Sequence, residues 1–281
     1  MKNKTYIDKK CNKCSINLTI INCDGDPNNL HSYTCKPCRS KEGAALLIEL
    51  KQKIIAGYGG NCACCGIDNY EFLTIDHIFA DRKKDGKLIS FSFYRSLIRN
   101  NFPSDRYQLL CWNCNGGKRI GECCPHQKPI NLEDFKLKHN FENKYESIIK
   151  LCTNCGIELN ENNSYKYHLK TAHYKCKKCD NLRTKFNYFK LKEEIFKEYD
   201  NQCKCCGENN IVFLNIDHID GAGSFHRKEL GLNGGGNGFY LWLKKNNYPK
   251  DNFQILCYNC NCSKECFGYC PHAKEKSLIT I

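Results

Sequence analysis

The chain is poor in the ingredients of a large apolar core. Among 281 residues it has one methionine, two tryptophans and seven prolines, and its mean hydropathy is −0.61. No apolar run approaches the roughly 18 residues that a membrane-spanning helix needs, so no membrane association is expected. The first ten residues are polar and lysine-rich, and the apolar stretch of a secretion signal is missing. Acidic residues are the minority charge, 30 against 43 lysines and arginines, which points to an anionic partner rather than a cationic one.

Cysteine is in excess, with 24 residues, many of them in Cys-x2-Cys pairs. Without a secretion signal, such pairs point to zinc in a reducing compartment rather than to a disulfide scaffold. The expected location is intracellular, in the cytoplasm or nucleus of a host. A formal net charge of +13 suggests nucleic acid as the polyanion. Zinc tempers this, because a four-cysteine site adds two positive charges and ionises four thiols. Four such sites bring the working charge to about +5.

One stretch occurs twice. Leu73-Thr74-Ile75-Asp76-His77 is followed by Leu110-Cys111-Trp112-Asn113-Cys114-Asn115, and Leu214-Asn215-Ile216-Asp217-His218 by Leu256-Cys257-Tyr258-Asn259-Cys260-Asn261. Cys11, Cys14, Cys35, Cys38, Cys62, Cys65, Asp76 and His77 recur 141 positions later as Cys152, Cys155, Cys176, Cys179, Cys203, Cys206, Asp217 and His218. Beyond that point the offset is 146, pairing Cys111 with Cys257 and Cys114 with Cys260. The length suggests about two domains, and the repeat makes them copies of one unit, a duplication rather than a solenoid.

Cys11, Cys14, Cys35 and Cys38 can place four thiolates tetrahedrally, as can Cys152, Cys155, Cys176 and Cys179, and segments this small and polar have little to fold around but the metal. In the second copy Cys152, Cys155, His168 and His173 also fit a Cys2His2 finger, whereas the first copy has Pro27 and Ser32 in place of those histidines. Apolar periodicity predicts helices over 41–58 and 182–199 with solvated lysine faces. Knuckles at Cys62/Cys65 and Cys203/Cys206 feed short strands over 72–76 and 213–217. Their partners, Cys111/Cys114 and Cys257/Cys260, would let a zinc ion tie the start of each unit to its end. Short helices are predicted over 93–99 and 239–245, with aromatics turned to the core, and the glycine-rich 231–238 reads as a connector. Cys64, Cys205 and the two Cys-Pro-His ends (Cys124 to His126, Cys270 to His272) read first as packing or capping residues and second as a further metal site.

A strand ending in Asp-His, then a Leu-Cys-x-x-Cys-Asn turn with Lys118 or Lys264 three residues on, resembles the zinc-containing HNH endonucleases with their ββα-metal fold. The similarity is strongest to phage-type members that carry a Cys-x2-Cys knuckle pair ahead of the nuclease, and looser to recombination endonuclease VII. It covers most of both copies. It implies a small, zinc-stabilised α+β protein of two tandem units, each with a four-cysteine knuckle module (1–40, 146–181), a linking helix and an HNH module (41–145, 182–281 with their helices).

The resemblance implies further that His77 and His218 are general bases, and that Asp76 with Asn115 and Asp217 with Asn261 bind a catalytic divalent cation. The family's loop-steadying asparagine corresponds to Asn252, where the first copy departs with Arg106. His226 and Arg227, with Lys264 and Lys118, are expected to meet the phosphate; the first copy offers Arg82-Lys83-Lys84 instead of the His-Arg pair. A viral or mobile-element source is the analogy.

Phosphodiester hydrolysis needs a deprotonated water in line with the leaving oxygen, and a counter-charge for what develops on both. An imidazole suits the first task and a hard cation held by few oxygens the second. Adjacent strand residues point to opposite faces, so Asp and His can share a phosphate only where the strand ends. The expectation is a metal-dependent DNA endonuclease with about four structural Zn²⁺ and a catalytic Mg²⁺ or Mn²⁺, working as a monomer with an internal pseudo-dimer. Its rivals are a non-catalytic zinc-dependent nucleic-acid-binding protein and a structure-selective nuclease acting on branched DNA.

Overall fold

The structure, a computed structural model, describes residues 9–19, 22–23, 33–79, 90–120, 123–136, 150–166, 174–221, 223–231 and 236–273. Pro27, Ser32, Arg82-Lys83-Lys84, His168, His173 and the middle of the glycine-rich loop lie outside the described residues.

In chain order the elements are α1 (Lys36–Gly57), β1 (Leu73–His77), α2 (Ser90–Arg99), β2 (Tyr107–Cys111), α3 (Trp112–Ile120), α4 (Lys177–Lys197), β3 (Leu214–His218), α5 (Gly223–Glu229), α6 (Gly236–Lys245), β4 (Phe253–Cys257) and α7 (Tyr258–Phe267). Single 3₁₀ turns occupy Tyr70–Phe72 and Leu132–Phe135. This is a small α+β protein with two-stranded sheets, β1 with β2 and β3 with β4. Among the described residues no helix is long and apolar enough to cross a membrane. None of the 24 cysteines forms a disulfide.

Contacts gather into two compact units, Met1–Ala63 with Leu73–Leu109, and Cys64–Phe72 with Leu110–Ile281. In the first, α1 buries Leu50, Ile54 and Ile55, and Ile54 meets Leu97 of α2 and Tyr107 of β2, ringed by Phe93, Ile98 and Phe102. The helix starts at Lys36, earlier than apolar spacing predicts. Cys35 is extended (φ −67°, ψ 156°) and caps it, and Pro37 sits in the first turn, where a missing N–H costs nothing.

In the second unit, α4 likewise starts early, at Lys177, with the sulfur of Cys176 accepting the Cys179 N–H. A polar first turn carries no apolar periodicity, so sequence spacing could not mark it. Phe189, Ile195 and Phe196 of α4 are buried; Phe135 stacks on Phe189 at 5.9 Å and Tyr240 of α6 meets Phe196 edge-on at 5.9 Å. β3 and β4 run antiparallel from Leu214↔Cys257 to His218↔Phe253. Both Asp-His strands sit one residue later than predicted, ending on the histidine. α5 was not expected, because its seven residues hold a single large apolar side chain, Phe225, and give no helical stripe. Cys257 caps α7 through its sulfur, and Gly268, left-handed at φ 78°, ends it.

Candidate active site and metal centres

Three of the expected four-cysteine groups gather wholly within one unit. They are Cys11, Cys14, Cys35 and Cys38 in the first unit, and Cys152, Cys155, Cys176, Cys179 and Cys203, Cys206, Cys257, Cys260 in the second. The sulfurs of each group lie within 4.8 Å of one another. Cys14–Cys35 and Cys155–Cys176 are 3.7 Å apart and Cys206–Cys257 3.8 Å. A tetrahedron built on Zn–S bonds of about 2.3 Å has edges of about 3.8 Å, so these groups could hold zinc. In the fourth group Cys65 Sγ is 3.8 Å from Cys111 Sγ, and the Cys114 N–H donates to Cys111 Sγ at 3.4 Å, all within the second unit. Cys62 belongs to the first unit.

The knuckles form for a local reason. Gly156 and Gly207 adopt φ 72° and 81°, and their N–H groups donate to the Cys152 and Cys203 carbonyls at 2.8 and 2.9 Å, a turn that glycine enters without a Cβ clash. The sulfurs share protons unequally: the Cys35 N–H helps draw the Cys11 thiol down to about 6, while hydrogen bonds to Cys14 and Cys35 push Cys38 up to about 12. A dication that ionises all four removes this conflict.

In the second copy, β3 carries functional groups on both faces. Asp217 and Asn215, two apart, face α7. Asp217 Oδ2 accepts from Gln254 Nε2 at 2.8 Å and from Lys264 Nζ at 2.7 Å, and Asn215 Oδ1 accepts from Asn261 Nδ2 at 2.7 Å. Lys264 also donates to the His218 and Ile219 carbonyls at 3.1 and 3.2 Å. Asn261 and Lys264 are one helical turn apart, so α7 lies along the strand through both links. Gln254 and Lys264 line a cleft of about 680 Å³ together with Lys204 and Tyr269.

His218 is on the other face. Its ring is buried between Phe239 at 5.3 Å and Phe253 at 4.7 Å, and its Nε2 lies 3.0 Å from Nδ1 of His226 on α5. Burial, then the charges of His226 and Arg227, lower its pKa against the opposing pull of Asp220 and Asp217. His226 therefore touches the candidate base itself, and Arg227 stands exposed beside it on α5. Beyond the strand the chain turns, with the Gly221 N–H returning to the His218 carbonyl at 3.0 Å.

The first copy repeats part of this within its own unit. Gln108 Nε2 donates to Asp76 Oδ2 at 2.9 Å, and His77 stacks on Phe93 at 5.8 Å and meets Tyr107 edge-on at 5.0 Å. Asn115 and Lys118 lie on α3 in the second unit. The Arg106/Asn252 departure falls at a backbone link common to both copies: the Ile78 N–H donates to the Arg106 carbonyl at 2.9 Å and the Ile219 N–H to the Asn252 carbonyl at 3.0 Å, while the Arg106 guanidinium lies over the Tyr107 ring at 5.3 Å. Asn252 itself is exposed, so this link is indifferent to the side chain.

Sequence reasoning assigned no role to Gln108, Gln254 or Asn215. The signal was there for the glutamines, which occupy matching positions in both copies directly before a buried aliphatic pair, Leu109-Leu110 and Ile255-Leu256. Comparison of the chain with family models, with curated proteins and with solved structures finds no match.

Proposed function

We propose that the chain is a metal-dependent DNA endonuclease with two HNH-type sites in tandem, the second complete within one compact unit. The observation that supports this reading is the end of β3, where a carboxylate facing α7 and a buried imidazole facing α5 and α6 leave adjacent positions. A phosphodiester that meets both must lie off the end of the strand.

The oxygens on the α7 face suit a hard divalent cation. The hydrogen bonds from Gln254 and Lys264 to the Asp217 carboxylate both fall on Oδ2, and Asn261, donating through Nδ2, turns its Oδ1 away from Asn215. Asp217 and Asn261 would hold Mg²⁺ or Mn²⁺, which supplies counter-charge for the leaving oxygen when bound. His218 takes the proton of the attacking water, and Lys264, Arg227 and the cleft's Lys204 attract the phosphate backbone. Two such sites in one chain would let a monomer cut both strands.

The test is conversion of supercoiled plasmid to nicked and linear forms, with and without Mg²⁺ or Mn²⁺. Loss of cleavage in His218→Ala with zinc content unchanged is expected, and activity retained in the His77→Ala, His218→Ala double variant would remove the catalytic reading. One observation favours a second reading, a zinc-stapled nucleic-acid-binding protein without catalysis. The Lys264 ammonium sits 2.7 Å from Asp217 Oδ2 and is also bonded to two carbonyls, a position in which it substitutes for a metal cation. That reading predicts salt-sensitive DNA binding with no divalent-dependent nicking.

A further inference from the structure

In each copy one cysteine belongs to two ligand groups. Cys260 completes the four-thiol group of Cys203, Cys206 and Cys257. Its sulfur also lies 3.4 Å from Nδ1 of His272, which is itself 3.7 Å from Cys270 Sγ, and the Cys205 thiol hydrogen-bonds to both Cys260 and Cys270. The first copy repeats this at matching positions. Cys64, Cys114, Cys124 and His126 place their ligand atoms within 4.8 Å of one another, and His126 Nδ1 is 3.3 Å from Cys114 Sγ and 3.4 Å from Cys124 Sγ. Cys114 is also the knuckle partner of Cys111, whose sulfur accepts the Cys114 N–H and lies 3.8 Å from the Cys65 sulfur.

We infer that Cys114 and Cys260 each bridge two zinc-class ions, the second ion of each pair being held by Cys64, Cys124 and His126 or by Cys205, Cys270 and His272. The distances fit. Tetrahedral zinc with Zn–S of about 2.3 Å and Zn–N of about 2.05 Å separates sulfur from nitrogen by about 3.5 Å, against the 3.3 to 3.7 Å found here. Three sulfurs and an imidazole select a borderline-soft ion over an oxygen-seeking one such as Mg²⁺. The second ion is also neutral in charge, since it brings two positive charges and ionises two further thiols.

Sequence and packing give the second site a purpose. His126 lies 4.9 Å from the ring of Phe213, and His272 5.0 Å from Phe72, so each bridged pair would fix a Cys-Pro-His end against an aromatic of the other sequence copy. Twenty of the 24 cysteines are then ligands, leaving Cys23, Cys123, Cys262 and Cys266. The inference is independent of the nuclease reading.

Native mass spectrometry of the full chain, purified with zinc, should count six ions; four would overturn the proposal. Cys64→Ser and Cys205→Ser should each bind one ion fewer with an unchanged circular dichroism spectrum. If either variant fails to fold, the wild-type chain loaded with ¹¹³Cd carries the decision. Scalar coupling between pairs of cadmium resonances reports a shared sulfur, and six uncoupled resonances would exclude the bridge.

Discussion

Asn113 and Asn259 cap each other's helices. The Asn113 N–H donates to Asn259 Oδ1 and the Asn259 N–H to Asn113 Oδ1, both at 2.9 Å. They lie second in α3 and α7, where an amide has no partner in its own helix, and both residues are buried. Their separation of 146 residues is the offset of the repeat, so two copies of one sequence meet here as symmetry mates do. Gly116 permits the approach, because a Cβ there would come within 2.8 Å of the Tyr258 ring.

Removing one cap should be costly for its size. Asn259→Ala leaves the Asn113 N–H buried and unpaired, a loss of about 1–3 kcal/mol, read as a lower midpoint in urea denaturation. Asn259→Asp keeps an acceptor and places negative charge at a helix N-terminus, so it should cost less. Equal losses in the two variants would show that packing, not the amide oxygen, matters at this contact.

The first knuckle carries a strained residue that its counterparts avoid. Ser15 adopts φ 61° where Gly156 and Gly207 stand in the later knuckles, and its N–H makes the same bond, to the Cys11 carbonyl at 2.9 Å. A left-handed conformation costs a residue with a Cβ about 1 kcal/mol. Ser15→Gly should stabilise the first knuckle by up to that amount and slow zinc loss to a chelator from the Cys11 group. Gly156→Ser should do the reverse in the second copy, and the same sign in both variants would refute the strain argument.

Lys192 makes stability depend on pH. It is fully buried, donates to the Leu214 carbonyl at 2.6 Å, and has the Phe196 ring 5.0 Å from its ammonium. Burial lowers its pKa to about 7. A lysine depressed on folding gives up a proton that the unfolded chain keeps, so stability is lowest below the folded value and rises through the window from pH 7 to about 10. Between pH 7 and 9 the gain should be about 2–3 kcal/mol. In zinc-saturated buffer, Lys192→Met should abolish that slope while remaining folded; an unchanged slope would place the dependence elsewhere.

How much of this the sequence disclosed follows from the kind of signal each feature leaves. Cys14 and Cys35 are far apart in the chain yet legible as partners, because ligand spacing is discrete and the pattern recurs at Cys155 and Cys176. β1 and β3 were legible to within one residue for the same reason. The contact between His218 and His226 was not, since α5 is short and polar and leaves no periodic stripe. Nor was the shared use of Cys114 and Cys260: spacing assigns each cysteine once, and only coordinates show one sulfur facing two ligand sets. The Asn113–Asn259 exchange was invisible because repeat symmetry does not say which faces meet.

His226 should set the acid limit of the proposed reaction. A general base works as the neutral imidazole, so a depressed pKa keeps His218 competent at lower pH. Burial is the largest cause of that depression, and the charges of His226 and Arg227 add to it. Replacing His226 with glutamine keeps a polar group near Nε2, which lies 3.0 Å from the ring it loses, and removes one charge. The His218 pKa should then rise, and the acid limb of the kcat/KM profile for nicking should move to higher pH by a fraction of a unit. A His77→Ala background makes the profile report the second site alone. Arg227→Gln should move the limb the same way by less, because arginine is the smaller of the two charge contributions. If His226→Gln lowers activity equally at every pH, the residue orients His218 mechanically and has no electrostatic hold on its proton.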